Sequence, residues 1–124
     1  MKNGKRNILI ADDSRAVRQL LKMVLQRHVD CNLVEAEDGQ EAYEKLRAGS
    51  YDLLITDINM PRMNGLSLIG RIRNEMGLRI PIVIVTTMGH EEDRDAGINL
   101  GANTYITKPI NGSHLVETVS ELVN

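Results

Sequence analysis

Leu53-Leu54-Ile55 and Ile82-Val83-Ile84-Val85 are apolar runs without polar alternation. A strand that offers neither face to water carries such a run, and sheets covered on both faces are characteristically parallel. Residues 7–11 are a third run of this kind, and Leu33-Val34-Glu35-Ala36 and residues 103–107 complete a set of five. Between them lie helix-period stretches. Val17, Leu20, Leu21, Val24 and Leu25 form one stripe behind Ser14, which reads as the helix opener. Asp38 and Glu41 make a capping pair for a second helix through Ala42 and Leu46, stopped by Gly49-Ser50. Leu68, Ile69, Ile72 and Met76 predict a third helix closed by Gly77. A fourth, near residues 91–100, has a weak stripe and an internal Gly97 that costs about 1 kcal/mol against alanine. Asn111 can cap a fifth helix carrying Leu115, Val116, Val119, Leu122 and Val123.

The order is β-α repeated five times. Parallel strands need crossovers, so a doubly wound five-stranded α/β domain is expected, with ligands at the carboxyl ends of the strands. At 124 residues and 13.9 kDa the chain fits one domain, residues 1–124. Fifteen basic against seventeen acidic residues give a net charge of −2, which argues against a nucleic-acid module. The single Cys31 requires no oxidising compartment, and the apolar run behind the basic start is too short for a signal or a membrane span. A soluble cytoplasmic domain with no membrane association is the expectation.

The strand ends hold the residues with chemistry: Asp12-Asp13 after the first, Asp57 after the third, Thr86-Thr87 after the fourth, Lys108-Pro109 after the fifth. Taken singly, each has a structural explanation, as a cap, a strand end or a turn. Together they place three carboxylates, a hydroxyl and an ammonium on one edge. Converging carboxylates repel, and at least one pKa must rise unless a cation joins them. Oxygen-only ligands with waters remaining suit Mg²⁺ better than a full Ca²⁺ cage, and three carboxylates, Lys108 and Mg²⁺ sum to zero charge. The same edge excludes a dinucleotide or flavin site, because the first turn is acidic where a Gly-rich phosphate cradle is needed. The histidines 28, 90 and 114 are scattered over helix regions and read as solvated.

The stretches Ile8-Leu9-Ile10-Ala11-Asp12-Asp13-Ser14, Asp57-Ile58-Asn59-Met60-Pro61-Arg62-Met63-Asn64-Gly65, Thr86, and Tyr105-Ile106-Thr107-Lys108-Pro109 carry a resemblance. Over nearly its full length the sequence resembles the receiver domain of two-component response regulators, the CheY-like family. The resemblance implies that Asp57 accepts a phosphoryl group from a sensor histidine kinase or histidine phosphotransfer protein. It implies that Asp12, Asp13, Asp57 and the backbone carbonyl of Asn59 bind Mg²⁺, and that Thr86 and Lys108 receive the phosphoryl oxygens. Tyr105 matches the aromatic switch position, coupled to Thr86. The output face for a downstream protein is then the fourth helix, fifth strand and fifth helix. Lys108-Pro109 is expected to be cis.

Thr87 departs from the family's usual small residue and adds bulk beside the phosphoryl pocket. Asn59 and Met88 occupy the positions that adjust attack by water on the phospho-aspartate. Kinase recognition is expected on exposed residues of the first helix, Arg15, Arg18, Gln19 and Lys22. A stand-alone, monomeric regulator is the expected form. The alternatives are a receiver cut from a larger regulator or hybrid kinase, a dimer through the output face, or a metal-dependent aspartyl-phosphate phosphatase. The last would need an acid two residues after Asp57, where this chain has Asn59.

Overall fold

A computed structural model describes residues 5–87 and 89–123. Five parallel strands form one sheet: β1 (Arg6–Ala11), β2 (Cys31–Ala36), β3 (Leu53–Asp57), β4 (Ile82–Thr87) and β5 (Thr104–Lys108), in the order β2-β1-β3-β4-β5. The helices are α1 (Arg15–His28), α2 (Gly39–Ala48), α3 (Gly65–Gly70), α4 (Glu91–Leu100) and α5 (Gly112–Val123). This is the doubly wound (βα)5 architecture expected from the apolar runs.

Strand alternation divides the core in two. Leu9, Leu54, Ile82 and Ile84 face one layer with Ala42, Leu46, Leu68 and Ile69 of α2 and α3. Ile8, Ile10, Leu53, Ile55, Val83 and Val85 face the other, with Leu21 and Leu25 of α1 and Leu115 and Val119 of α5. Because successive strand side chains point to opposite faces, an unbroken apolar run serves both layers at once. Burial of that area supplies the main driving force for the fold.

The helix starts follow their capping chemistry. The Ser14 hydroxyl accepts from the Val17 N–H, and Asp38 Oδ1 accepts from the Glu41 N–H at 2.8 Å. Asn64 and Asn111 accept from the N–H groups of Ser67 and His114 in the same way. The side chain of Glu41 returns to the Glu37 N–H at 2.6 Å.

Two features differ from the sequence expectation or explain it. The third helix does not run unbroken to Met76. After Gly70 it widens into a π-helical turn, Arg71–Glu75, with the Met76 N–H bonded to the Arg71 carbonyl. A single turn of apolar spacing does not separate 3.6 residues per turn from the wider π repeat. Here the widened turn is held by anchors distant in sequence: Arg73 donates to the carbonyls of Gly101 and Leu78, and Glu75 accepts from the Tyr43 hydroxyl at 2.6 Å. Gly97, costly on propensity, is explained by packing. A Cβ there would run into Ile84 Cδ1, so the glycine lets α4 lie close on β4.

Among the described residues no helix is long and apolar enough to cross a membrane. His28, His90 and His114 are all exposed.

Candidate functional site

The strand order reverses between β1 and β3, and in open α/β sheets ligand sites form in the crevice at that point. β1 ends into Asp12 and β3 ends with Asp57, on neighbouring strands. One carboxylate oxygen from each of Asp12, Asp13 and Asp57 lies within 4.8 Å of the others. Asp13 is exposed and Asp57 partly buried, whereas Asp12 is only 1% exposed.

Asp12 is held on nearly every side. Its N–H donates to the Ala36 carbonyl, its Oδ1 accepts from the Ser14 N–H at 2.8 Å, and its carbonyl accepts from Arg18 Nη1 at 2.6 Å. Oδ2 remains, buried and without a hydrogen bond. Asp57 Oδ1 accepts from the Ile58 N–H at 2.7 Å. Lys108 Nζ stands 3.4 Å from Asp12 Oδ2 and 3.6 Å from Asp57 Oδ2. Those separations exceed a charge-assisted hydrogen bond of about 2.7–2.9 Å, so the ammonium balances charge without saturating either oxygen.

Burial is the largest cause that pushes the Asp57 carboxyl above its usual range, and the Asp12 charge adds to it. Lys108 and the backbone N–H groups of Ile58 and Asn59 pull the other way. A buried carboxylate oxygen without a donor, hard oxygen donors only, and a carboxyl raised by burial and by the Asp12 charge together fit a hard divalent cation. Asn59, two residues beyond Asp57, is exposed.

Thr86 and Lys108 reach the same end of the sheet by register. Asp57 pairs with Val85, Thr86 with Thr107, and Thr87 with Lys108. Thr86 is 6% exposed and lines a cavity of about 180 Å³ with Thr87, Gly89, His90, Arg94 and Thr107. Thr87 lines this cavity too, but Asp12, Asp13, Asp57 and Lys108 do not. Tyr105 is 37% exposed, and the Arg94 guanidinium lies 4.6 Å from its ring centroid. The Lys108-Pro109 peptide is cis. Met88 lies outside the described residues.

The loop after Asp57 is fixed from both sides. The Gly65 N–H donates to the Ile58 carbonyl at 2.7 Å, and a Cβ at Gly65 would collide with the Asp57 carbonyl oxygen. Arg62, at φ +66°, forks onto Asp38. Neither Arg62 nor Gly65 carries a signal of this role in spacing alone. One sequence expectation is corrected: Arg18 is not on the outer surface of α1. It is 6% exposed and turned inward onto Asp12 and Glu35, while Lys22 is half-buried and paired with Glu35 at 3.1 Å.

The family model of the response regulator receiver domain matches residues 8–120. The chain belongs to this family. Chemotaxis protein CheY1 of Helicobacter pylori (strain ATCC 700392 / 26695) is 40% identical to this receiver domain over 112 residues, 89% of the domain and 90% of CheY1. Response regulator GtcR of Aneurinibacillus migulanus is 39% identical over 106 residues, 86% of the receiver domain and 43% of GtcR. The receiver domain therefore spans less than half the length of that second relative. Among solved structures, the chemotaxis response regulator CheY4 of Vibrio cholerae superposes with a TM-score of 0.86 at 30% identity, covering 95% of the receiver domain and 98% of CheY4. The chain carries a CheY-like receiver domain of two-component response regulators.

Proposed function

We propose that this receiver domain takes a phosphoryl group onto Asp57 and that Asp12, Asp13, Asp57 and the Asn59 carbonyl hold Mg²⁺ for the transfer. The observation that carries the reading is the convergence of three carboxylates with an orphaned Asp12 oxygen under the Lys108 ammonium.

The donor is a phosphohistidine on a sensor kinase or a phosphotransfer protein. A carboxylate oxygen of Asp57 forms the new bond to phosphorus as the P–N bond breaks. The electron pair leaves with the imidazole nitrogen, which takes up a proton, and the product is an acyl phosphate. An anion attacking an anionic group needs positive charge on the transferred oxygens. Lys108 supplies part of it from its place between Asp12 and Asp57. Bound Mg²⁺ supplies the rest by neutralising the carboxylates and the phosphoryl oxygens. Thr86 offers its hydroxyl to the phosphoryl group from the end of β4, one residue past the Val85 that pairs with Asp57.

The switch then follows from occupancy. Drawing Thr86 toward Asp57 opens space for Tyr105 to turn inward from its exposed position, changing the α4-β5-α5 face that a downstream protein reads. A coupling of about 1–3 kcal/mol shifts partner affinity several-fold or more. The domain acts as a cytoplasmic phosphoacceptor, turning over only its own acyl phosphate. Pro109 follows Lys108 through a cis peptide bond.

Intact mass spectrometry after incubation with acetyl phosphate and Mg²⁺ tests the reading. One added phosphoryl group, lost in Asp57→Asn and lost when EDTA replaces the metal, is the expected result. Modification that persists in Asp57→Asn assigns the chemistry to another residue.

A further inference from the structure

Arg18 is an unusual occupant of the inner face of α1. Leu21 and Leu25 on the same helix are apolar and fully buried, while Arg18 is a charged side chain at 6% exposure. Burying a guanidinium is costly unless its donors are placed on acceptors. Its Nη1 meets the Asp12 carbonyl at 2.6 Å, its Nε meets Glu35 Oε1 at 3.0 Å, and its Nη2 lies 3.9 Å from Glu37 Oε1. Lys22 also pairs with Glu35 at 3.1 Å, and its hydrogen bond is the largest cause holding the Glu35 carboxyl below its usual range. Glu35 is thus a fixed, ionised anchor on β2.

The acceptor on the other side matters more. The registered pairing of β1 stops at Ala11, so the Asp12 carbonyl lies beyond the strand pairing. Arg18 takes that carbonyl. The grip sets the peptide plane between Asp12 and Asp13, and with it the starting direction of both acidic side chains. The Asp12 N–H and Oδ1 are already bound to Ala36 and Ser14. The Arg18 bond completes the set and leaves Oδ2 as the one buried oxygen open to a cation.

We infer that Arg18 is a positioning residue for the acidic pair: its forked guanidinium, braced on Glu35, orients Asp12 and Asp13 for metal binding without touching the metal. This rests on the metal reading proposed above. Lysine keeps the charge but presents a point donor in place of a fork, so it cannot serve the carbonyl and Glu35 in the same geometry. Outer partners that orient metal ligands typically govern affinity by roughly 10–100-fold.

The test is calorimetric titration of Mg²⁺ into wild type, Arg18→Lys and Asp13→Asn, each with a thermal melt. Val119→Ala, a core change in α5, serves as the control for loss of stability alone. The expected result is Mg²⁺ affinity about tenfold or more weaker in Arg18→Lys, with Val119→Ala binding as wild type despite a lower Tm. Wild-type affinity in Arg18→Lys overturns the positioning role while leaving the metal reading intact. Wild-type protein that takes up no Mg²⁺, or Asp13→Asn that binds equally well, overturns the metal reading and the role of Arg18 with it. Should Arg18→Lys fail to fold, Glu35→Ala carries the same test by removing the brace. A several-fold loss supports the role, and unchanged affinity overturns it.

Discussion

Arg62 Nε lies 2.9 Å from Asp38 Oδ2 and its Nη2 lies 3.2 Å from Asp38 Oδ1, joining the loop after β3 to the start of α2 through a two-point fork. The same loop makes a tight turn at Arg62, where the Met63 N–H bonds back to the Pro61 carbonyl at 2.7 Å and φ is +66°. A positive φ at a residue with a Cβ is strained and persists where its surroundings hold it. Asp38 also caps α2, so one carboxylate serves both the helix and the loop. Its carboxyl is held below the usual range first by the Arg62 hydrogen bond.

Asp38→Ala therefore removes two functions, and the cap alone is worth about 1 kcal/mol. At position 62 the ordering of variants is the sharper test. Alanine loses the fork and keeps the strained backbone, whereas glycine loses the fork and relieves the strain. Arg62→Gly should melt above Arg62→Ala in thermal denaturation followed by circular dichroism. The reverse order would mean that the backbone at Arg62 is not what the fork restrains.

Gly65 makes the second prediction. A Cβ there would strike the Asp57 carbonyl oxygen and come within 2.9 Å of Ile58 Cα, both main-chain atoms that cannot swing aside as a side chain does. Gly65→Ala should cost roughly 1–3 kcal/mol as an overpacked contact. Because the contact lies on Asp57, phosphorylation by acetyl phosphate should slow as well. Denaturant melts and a phosphorylation time course check the two effects together, and a variant with wild-type stability contradicts the close approach.

The fold was legible because its signals are local. Ile82-Val83-Ile84-Val85 announces a strand covered on both faces, and Ser14, Asp38 and Asn111 stand where caps belong. The acids and Lys108 were legible because strand ends in a parallel sheet share one edge. What stayed hidden depends on pairs far apart in sequence. Arg18 looked like a surface arginine because its partners, Asp12 and Glu35, lie on two strands and α1 had no fixed rotation until they met it. The π-helical turn was hidden for the same reason, since Arg73 finds its acceptor at Gly101. Gly97 appeared as a weakness in α4 until Ile84 gave it a purpose.

The stacking of Arg94 on Tyr105, at 4.6 Å from the ring centroid, gives the third prediction. A cation over an aromatic face at a partly exposed site contributes about 0.5–1 kcal/mol. Arg94 also lines the pocket beside Thr86, and its contact favours the outward ring. Arg94→Ala should raise the inward population of Tyr105 about two- to fivefold in the unphosphorylated protein, the range that energy corresponds to. Side-chain couplings of Tyr105 by NMR read the populations directly. Identical couplings in the two proteins would remove Arg94 from the switch.

The last prediction concerns Asp57 itself and turns on sign. Burial first, then Asp12, raises its carboxyl above the ordinary range in the folded chain. The folded state thus keeps this proton to higher pH than the unfolded state does. Stability from the group is fully present below the unfolded carboxylate value of about 4 and is lost as pH rises through the folded value. At pH 7 without metal, the burial of Asp57 weighs against the fold. Asp57→Asn should then melt above wild type in EDTA at pH 7, with the gap narrowing as the pH falls toward the ordinary carboxylate range. Glu35 and Asp38 are shifted the opposite way, so their stabilisation is lost only as pH falls through their lowered values. Both proteins share that loss, and it cancels in the difference. Saturating Mg²⁺ should favour wild type more than the variant, because a ligand stabilises the state that binds it better. Thermal melts at pH 7, 5 and 4, each with EDTA and with Mg²⁺, provide the measurement. A variant that melts below wild type in EDTA at pH 7 would show that Lys108 and the backbone donors outweigh burial at Asp57.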